Sequence, residues 1–79
     1  MTIRLLAFGI AHEILGFPEK EIDFSGVNVG DLRNFLLKNH PDFERLKSLS
    51  FAVNETYEKD EKILTNNDVV AIIPPVSGG

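Results

Sequence analysis

The stretch that most constrains the fold comes last, where Val69-Val70-Ala71-Ile72-Ile73 runs directly into Pro74-Pro75-Val76-Ser77-Gly78-Gly79. Five consecutive apolar residues read as a buried strand. The two prolines end it, because neither has an N–H for a ladder and each holds φ near about −65°. The chain therefore leaves the sheet stiff and extended, then meets two residues with no Cβ. From Pro74 such a segment reaches roughly 20 Å, slim enough at its tip to thread a narrow channel into another protein's active site. A frayed chain end or a cloning remnant is the plainer reading of any terminal Gly-Gly. The direct succession of strand, rigid pair and flexible pair at the end of a small domain favours the functional one.

Seventy-nine residues make one domain, with a thin core, since a chain this short buries only somewhat more than about 60% of its unfolded surface. There is no cysteine, which excludes a disulfide framework, a Cys nucleophile and a Cys-ligated metal, and fits a reducing compartment. Eight Lys and Arg against twelve Asp and Glu leave a net charge of −4. No basic patch or stripe points to nucleic acid. No apolar run approaches the roughly 18 residues of a membrane span, and no signal peptide is present, so no membrane is expected and the cytoplasm is the expected location.

Thr2 to Phe8 alternates as a strand, with Ile3, Leu5 and Ala7 on one face and Arg4, Leu6 and Phe8 on the other. Leu6 and Phe8 stand open to two readings, scattered surface hydrophobes or a docking patch. Ile10 to Leu15 reads as a short helix, with Ile10 and Ile14 on one face and Gly16 as its left-handed stop. After Pro18, Ile22 and Phe24 face inward from an antiparallel strand. The main helix begins at the N-cap Asn28, with Asp31 completing a capping box, and buries Val29, Leu32, Phe35 and Leu36. Lys38, Asn39, His40 and Pro41 end it. Phe43 and Leu46 anchor an irregular or single-turn segment, and Phe51-Ala52-Val53 is a strand. Asn54-Glu55 turns the chain into a charged hairpin in which Tyr57 is the lone aromatic. Ile63-Leu64 returns to the core, and Thr65-Asn66-Asn67-Asp68 is a turn.

This order predicts an α+β domain over residues 1–73, with a mixed sheet wrapped around one main helix, followed by an extended functional tail over 74–79. The two strongly apolar strands, first and last in the chain, are the natural central pair and would run parallel, as in a β-grasp (ubiquitin-like) fold.

No internal constellation is catalytic: there is no nucleophile triad, phosphate loop or metal-ligand spacing. The carboxylates fall in charge-rich segments expected to be solvated, with no perturbed pKa. His12 and His40 read as a surface residue and a helix-end residue. The unusual group is the carboxylate of Gly79. It is a poor electrophile until another protein converts it with ATP to an acyl-adenylate. A sulfur donor displacing AMP would leave a thiocarboxylate, and an amine would leave an amide. The catalytic residues would then belong to partners.

The stretch Phe8-Gly9-Ile10-Ala11-His12-Glu13-Ile14-Leu15-Gly16, then Ala52-Val53-Asn54-Glu55, and the whole of Leu64 to Gly79 resemble the MoaD family. These are the small, ubiquitin-like sulfur-carrier subunits of molybdopterin synthase. The thiamine-pathway sulfur carrier shares the fold and the Gly-Gly end but typically lacks the Pro-Pro-Val-Ser/Thr run. The resemblance implies that an E1-like enzyme adenylates Gly79 and a sulfurtransferase system converts it to a thiocarboxylate. Pro74, Pro75, Val76, Ser77 and Gly78 then insert the tail into the large synthase subunit of a heterotetramer. There sulfur passes to cyclic pyranopterin monophosphate to build the molybdopterin dithiolene. No permanently bound cofactor and no metal are implied. By position, Phe8, Tyr57 and Ile73 match the family's apolar docking patch, and His12 stands where relatives often carry Arg, implying a weaker or different ion pair with the partner. A carrier of the thiamine or tungsten-cofactor pathway, a ubiquitin-like lysine modifier, and an interaction domain with an inert tail are the competing readings.

Overall fold

The structure, a computed structural model, describes residues 1–46 and 48–75. Its strands are β1 (Thr2–Ala7), β2 (Glu19–Asp23), β3 (Ser50–Val53), β4 (Thr56–Glu58) and β5 (Val69–Ile73), and its helices are α1 (Ile10–Leu15) and α2 (Val29–Asn39), with a 3-10 turn at Pro41–Arg45. The five strands form one sheet in the order β2-β1-β5-β3-β4. As expected, β1 and β5 lie side by side and parallel, with Arg4 opposite Val69 and Ala7 opposite Ile72. All other neighbours are antiparallel. This mixed sheet with α2 on one face is the expected α+β, β-grasp architecture.

Alternation puts Ile3, Leu5 and Ala7 of β1 and Val70 and Ile72 of β5 into the core, where they meet Val29, Leu32 and Leu36 of α2. Each large aliphatic side chain so buried contributes about 1.5–3 kcal/mol. Phe35 departs from the expected buried stripe and is 40% exposed. At about 100° per residue, positions 29, 32 and 36 cluster on one side of the helix, and 35 and 37 fall on its two flanks. Phe35 instead meets the edge of Phe24, ring centroids 6.2 Å apart. Two smaller departures have the same origin. In α1 the inward residue is Ala11, with Ile14 and Leu15 half-buried and Ile10 exposed; before β5, Leu64 is buried while Ile63, bridged to Asn28 by its backbone, is exposed.

The start of α2 satisfies all four of its orphan N–H groups. Asn28 Oδ1 accepts from Asp31 N at 2.8 Å while Asp31 Oδ2 accepts from Asn28 N at 3.3 Å and Val27 N at 2.8 Å, the expected capping box. Val29 N donates to the Lys62 carbonyl, Gly30 N to the Asp60 carbonyl and Leu32 N to the Asn28 carbonyl. The β4–β5 loop is thus stitched to the helix, and Arg33 reinforces it with two bonds to Asp60 Oδ1 and one to the Leu49 carbonyl. At the other end His40 caps α2 in non-helical geometry before Pro41, and Phe43 of the 3-10 turn is buried. Gly16 closes α1 at φ 84°, the left-handed stop.

Asn28→Ala and Asp31→Ala are each expected to lower stability by about 1 kcal/mol. The double variant should lose less than the sum, because the two side chains act reciprocally. Urea midpoints of the three variants check this.

Candidate functional site

With α2 covering one face of the sheet, the opposite face is open, and register decides what stands there. Leu6 is opposite Ala71, Ala71 opposite Ala52, and Ala52 opposite Tyr57. A row across four strands therefore reads large, small, small, large, and the two alanines floor a groove of about 670 Å³. Phe8 and Ile73 extend its wall toward the end of β5, and Asn54 and Glu55 close the opposite end. Phe8 is 51% exposed and Tyr57 66%. Three of the residues singled out in the sequence, Phe8, Tyr57 and Ile73, thus share one groove. Leu6, Ala52 and Ala71 belong to it as well. His12 does not line it, but is exposed on α1, where its carbonyl accepts from Gly16 N at 2.8 Å. Beyond Leu6 the face turns polar, as Arg4 of β1 pairs with Glu19 at 2.8 Å and Glu21 at 3.3 Å on β2.

The carboxyl-terminal segment departs from this groove. Continuing the β1–β5 register by two residues sets Pro74 beside Gly9. Gly9 has φ 54° and ψ −130°, a conformation closed to L side chains, and a Cβ there would lie 3.5 Å from Pro74 Cγ. Pro74 is half-buried and Pro75 exposed. The remaining tail residues, Val76, Ser77, Gly78 and the carboxyl-bearing Gly79, lie outside the described residues.

One expectation about the carboxylates is overturned. Asp68 is buried, at 8% exposure. Its Oδ2 accepts from Thr65 N at 2.8 Å, and its Oδ1 accepts from Thr65 Oγ1 at 3.1 Å and Asn54 Nδ2 at 3.0 Å. Burial works to raise its pKa. The hydrogen bonds from the Thr65 backbone, the Asn54 amide and the Thr65 hydroxyl, with the charge of Lys62, outweigh burial and hold it below the ordinary value. A carboxylate three residues after Thr65 is a local turn signal; that Asn54 would close over it is not local, and composition does not reveal it. Among the described residues no group of three or more His, Asp or Glu could hold a metal, and no helix is long and apolar enough to cross a membrane.

Comparison with known proteins now bears on this geometry. The ThiS family model matches residues 5–79. The chain belongs to the ThiS family. The molybdopterin synthase sulfur carrier subunit of Chlamydomonas reinhardtii is 35% identical over 83 aligned residues that span the whole of both chains. Among solved structures, small archaeal modifier protein 1 of Methanosarcina acetivorans matches with a TM-score of 0.79 at 25% identity, covering 99% of this chain and 96% of that one. A complex of subunits 1 and 2 of the molybdopterin-converting factor of Helicobacter pylori contains a chain that matches with a TM-score of 0.69 at 25% identity, with full coverage of both. These ThiS-like neighbours share the ubiquitin-like β-grasp.

Two measurements test the site's construction. Because the folded pKa of Asp68 lies below its unfolded value, its stabilising contribution is complete above about pH 4 and is lost as pH falls through the folded value. Asp68→Asn is expected to lower stability at neutral pH and to flatten part of the decline below pH 4, read from urea midpoints across pH. Gly9→Ala is expected to cost about 1–3 kcal/mol. D-alanine at the same position, introduced by chemical synthesis, should cost little, since φ and ψ there mirror an ordinary L conformation.

Proposed function

We propose that this chain is the sulfur-carrier subunit of a molybdopterin synthase, with residues 1–73 as the folded domain and 74–79 as the working tail. The observation that carries this reading is the apolar groove running directly to the strand end from which Pro74 departs. A partner seated on Phe8, Tyr57 and Ile73 would receive the tail at its own surface. Full-length kinship with a named carrier of that synthase supports it, as does the assembly of the Helicobacter pylori relative with a second subunit.

In this reading an E1-like enzyme presents ATP to the Gly79 carboxylate. A carboxylate oxygen attacks the α-phosphorus, pyrophosphate leaves, and the anion becomes a mixed anhydride whose AMP is a good leaving group. The outer sulfur of a sulfurtransferase persulfide attacks the carbonyl carbon, AMP leaves, and a second thiol cleaves the acyl disulfide so formed, releasing a thiocarboxylate and a disulfide. Docked in the large subunit, its sulfur bonds to a carbon of cyclic pyranopterin monophosphate, and water then cleaves the acyl–sulfur bond, leaving the sulfur on the pterin and a carboxylate at Gly79; a dithiolene needs two such deliveries. Pro74 and Pro75 keep the base of the tail extended, and Val76, Ser77 and Gly78 carry Gly79 through a channel too narrow for large side chains. His12, exposed on α1 outside the groove, supplies a further polar contact to the partner. Likeness to an archaeal modifier protein favours a second use of the same activated terminus, amide formation with a lysine.

Incubation with an E1-like enzyme, ATP and a sulfur donor is expected to raise the intact mass by the difference between sulfur and oxygen, confined to the C-terminal peptide. A chain lacking Gly79, or carrying one residue after it, should show no gain while keeping its fold. No gain in the native chain, with an enzyme active on another carrier, would overturn the reading. Lysine-linked Gly-Gly remnants in place of sulfur would establish the modifier. Phe8→Asp or Tyr57→Asp should weaken binding to the large subunit by about 2 kcal/mol or more, read by calorimetry.

A further inference from the structure

Asn54 occupies an unusual place. It and Glu55 form the two-residue turn between β3 and β4, and both are left-handed, at φ 50° and 74°. Such a turn suits hairpin twist but favours glycine at its second position. Glu55 stands there instead, so the local backbone does not hold this turn unaided. The strand beyond is short: β4 has three residues, pairs only with β3 and forms an edge of the sheet. Tyr57 stands on that edge strand, two-thirds exposed, and forms one wall of the groove.

What holds the turn reaches across to β5. Asn54 N donates to the Val69 carbonyl at 2.8 Å, Asn54 Oδ1 accepts from Val69 N at 3.0 Å, and Asn54 Nδ2 donates to Asp68 Oδ1 at 3.0 Å. Asp68 is fixed in turn by Thr65, and its carbonyl accepts from Arg4 N of β1 at 2.9 Å. Val69 begins the groove floor. A single side-chain pair therefore ties the edge-strand wall, the floor strand and the neighbouring strand together. With so few ladder bonds on β4, this tie has a disproportionate hold on where Tyr57 stands.

We propose that Asn54 and Asp68 are a positioning pair for partner binding: they fix the β3–β4 turn against β5 and so hold the Tyr57 wall of the groove in docking geometry. This rests on the docking role of the groove argued above. Asp68 does not line the groove, and Asn54 does so only where it closes, so Asp68→Asn reads the effect without altering a groove residue. The pair's contribution is pre-organisation, which appears chiefly as slower dissociation.

The hydrogen-bond directions allow a decisive test. Asn54→Asp alone faces two carboxylates, and Asp68→Asn alone faces two amides. The exchanged pair, Asn54→Asp with Asp68→Asn, satisfies every partner again. Asp at 54 accepts from Val69 N and from the new amide, whose oxygen accepts from Thr65 N and whose second N–H meets the Thr65 hydroxyl. Tyr57 is the only tyrosine, so biosynthetic 3-fluorotyrosine places one fluorine label on the wall itself. Each single variant is expected to shift the fluorine resonance and to weaken binding to the large synthase subunit about tenfold, mainly through faster dissociation. The exchanged pair should restore both. A folded single variant with native resonance and affinity would overturn the proposal. So would an exchanged pair that regains thermal stability without regaining resonance and affinity. Should the single variants not fold, Thr65→Val removes only the hydroxyl's bond to Asp68, and an unchanged resonance and affinity there would overturn it equally. Phe8→Asp is the control for the groove: native affinity in that variant refutes the docking face, while the fluorine resonance of the other variants still decides whether the pair fixes Tyr57.

Discussion

The parallel pairing of β1 with β5 is the constraint on which the rest of the molecule depends. Antiparallel neighbours can be joined by a two-residue turn, but parallel ones need a crossover. Here nearly the whole chain is that crossover. It packs α2 against one face of the sheet, and among the described residues no second layer covers the groove on the other. One face is therefore buried by necessity, and what stands on the opposite face is left to the identity of alternate residues. Leu6 and Ala71, only half-buried, could be polar there without harm to the core. Their apolar character, with Phe8 and Tyr57 beside them, is the part of the sequence that the fold does not require.

Local chemistry was legible in the sequence. Asn28 with Asp31, Gly16 after a helical turn, Pro41 after His40 and the alternation of β1 all act within a few residues, and each does in the structure what its residue type dictates. The parallel central pair could be read because both strands are strongly apolar and stand at opposite ends of the domain. The misreadings share a different cause. Phe35, Ile63 and Ile10 are apolar residues at the margin of a periodic pattern, where hydrophobicity alone does not tell a flank from a face. Asp68 is the clearest case: its burial depends on Asn54, fourteen positions away, folding over it.

The same division holds for the candidate site. Phe8 and Tyr57 were visible as apolar residues out of pattern, but the alanines that make a groove between them were not, since an alanine carries no signal until its register is known. The polar border formed by Arg4 with Glu19 and Glu21 was equally silent. It depends on β2 pairing beside β1, and it covers an otherwise open sheet edge with charge, which discourages pairing with another chain.

The central place of β5 has a further consequence, for synthesis. Without residues 69–73, the strands that precede them can form only two separate hairpin-like pairs, β1 with β2 and β3 with β4. Neither has a joint core, and neither carries the groove, whose floor needs Ala71 of β5 beside Ala52 of β3. As the domain is translated, β5, which follows the other four strands, is thus the keystone of the sheet. Folding must wait for contacts between the two ends of the domain, the slow kind. An incomplete chain offers no groove, so a partner that binds the groove also verifies that the translation of the domain was finished.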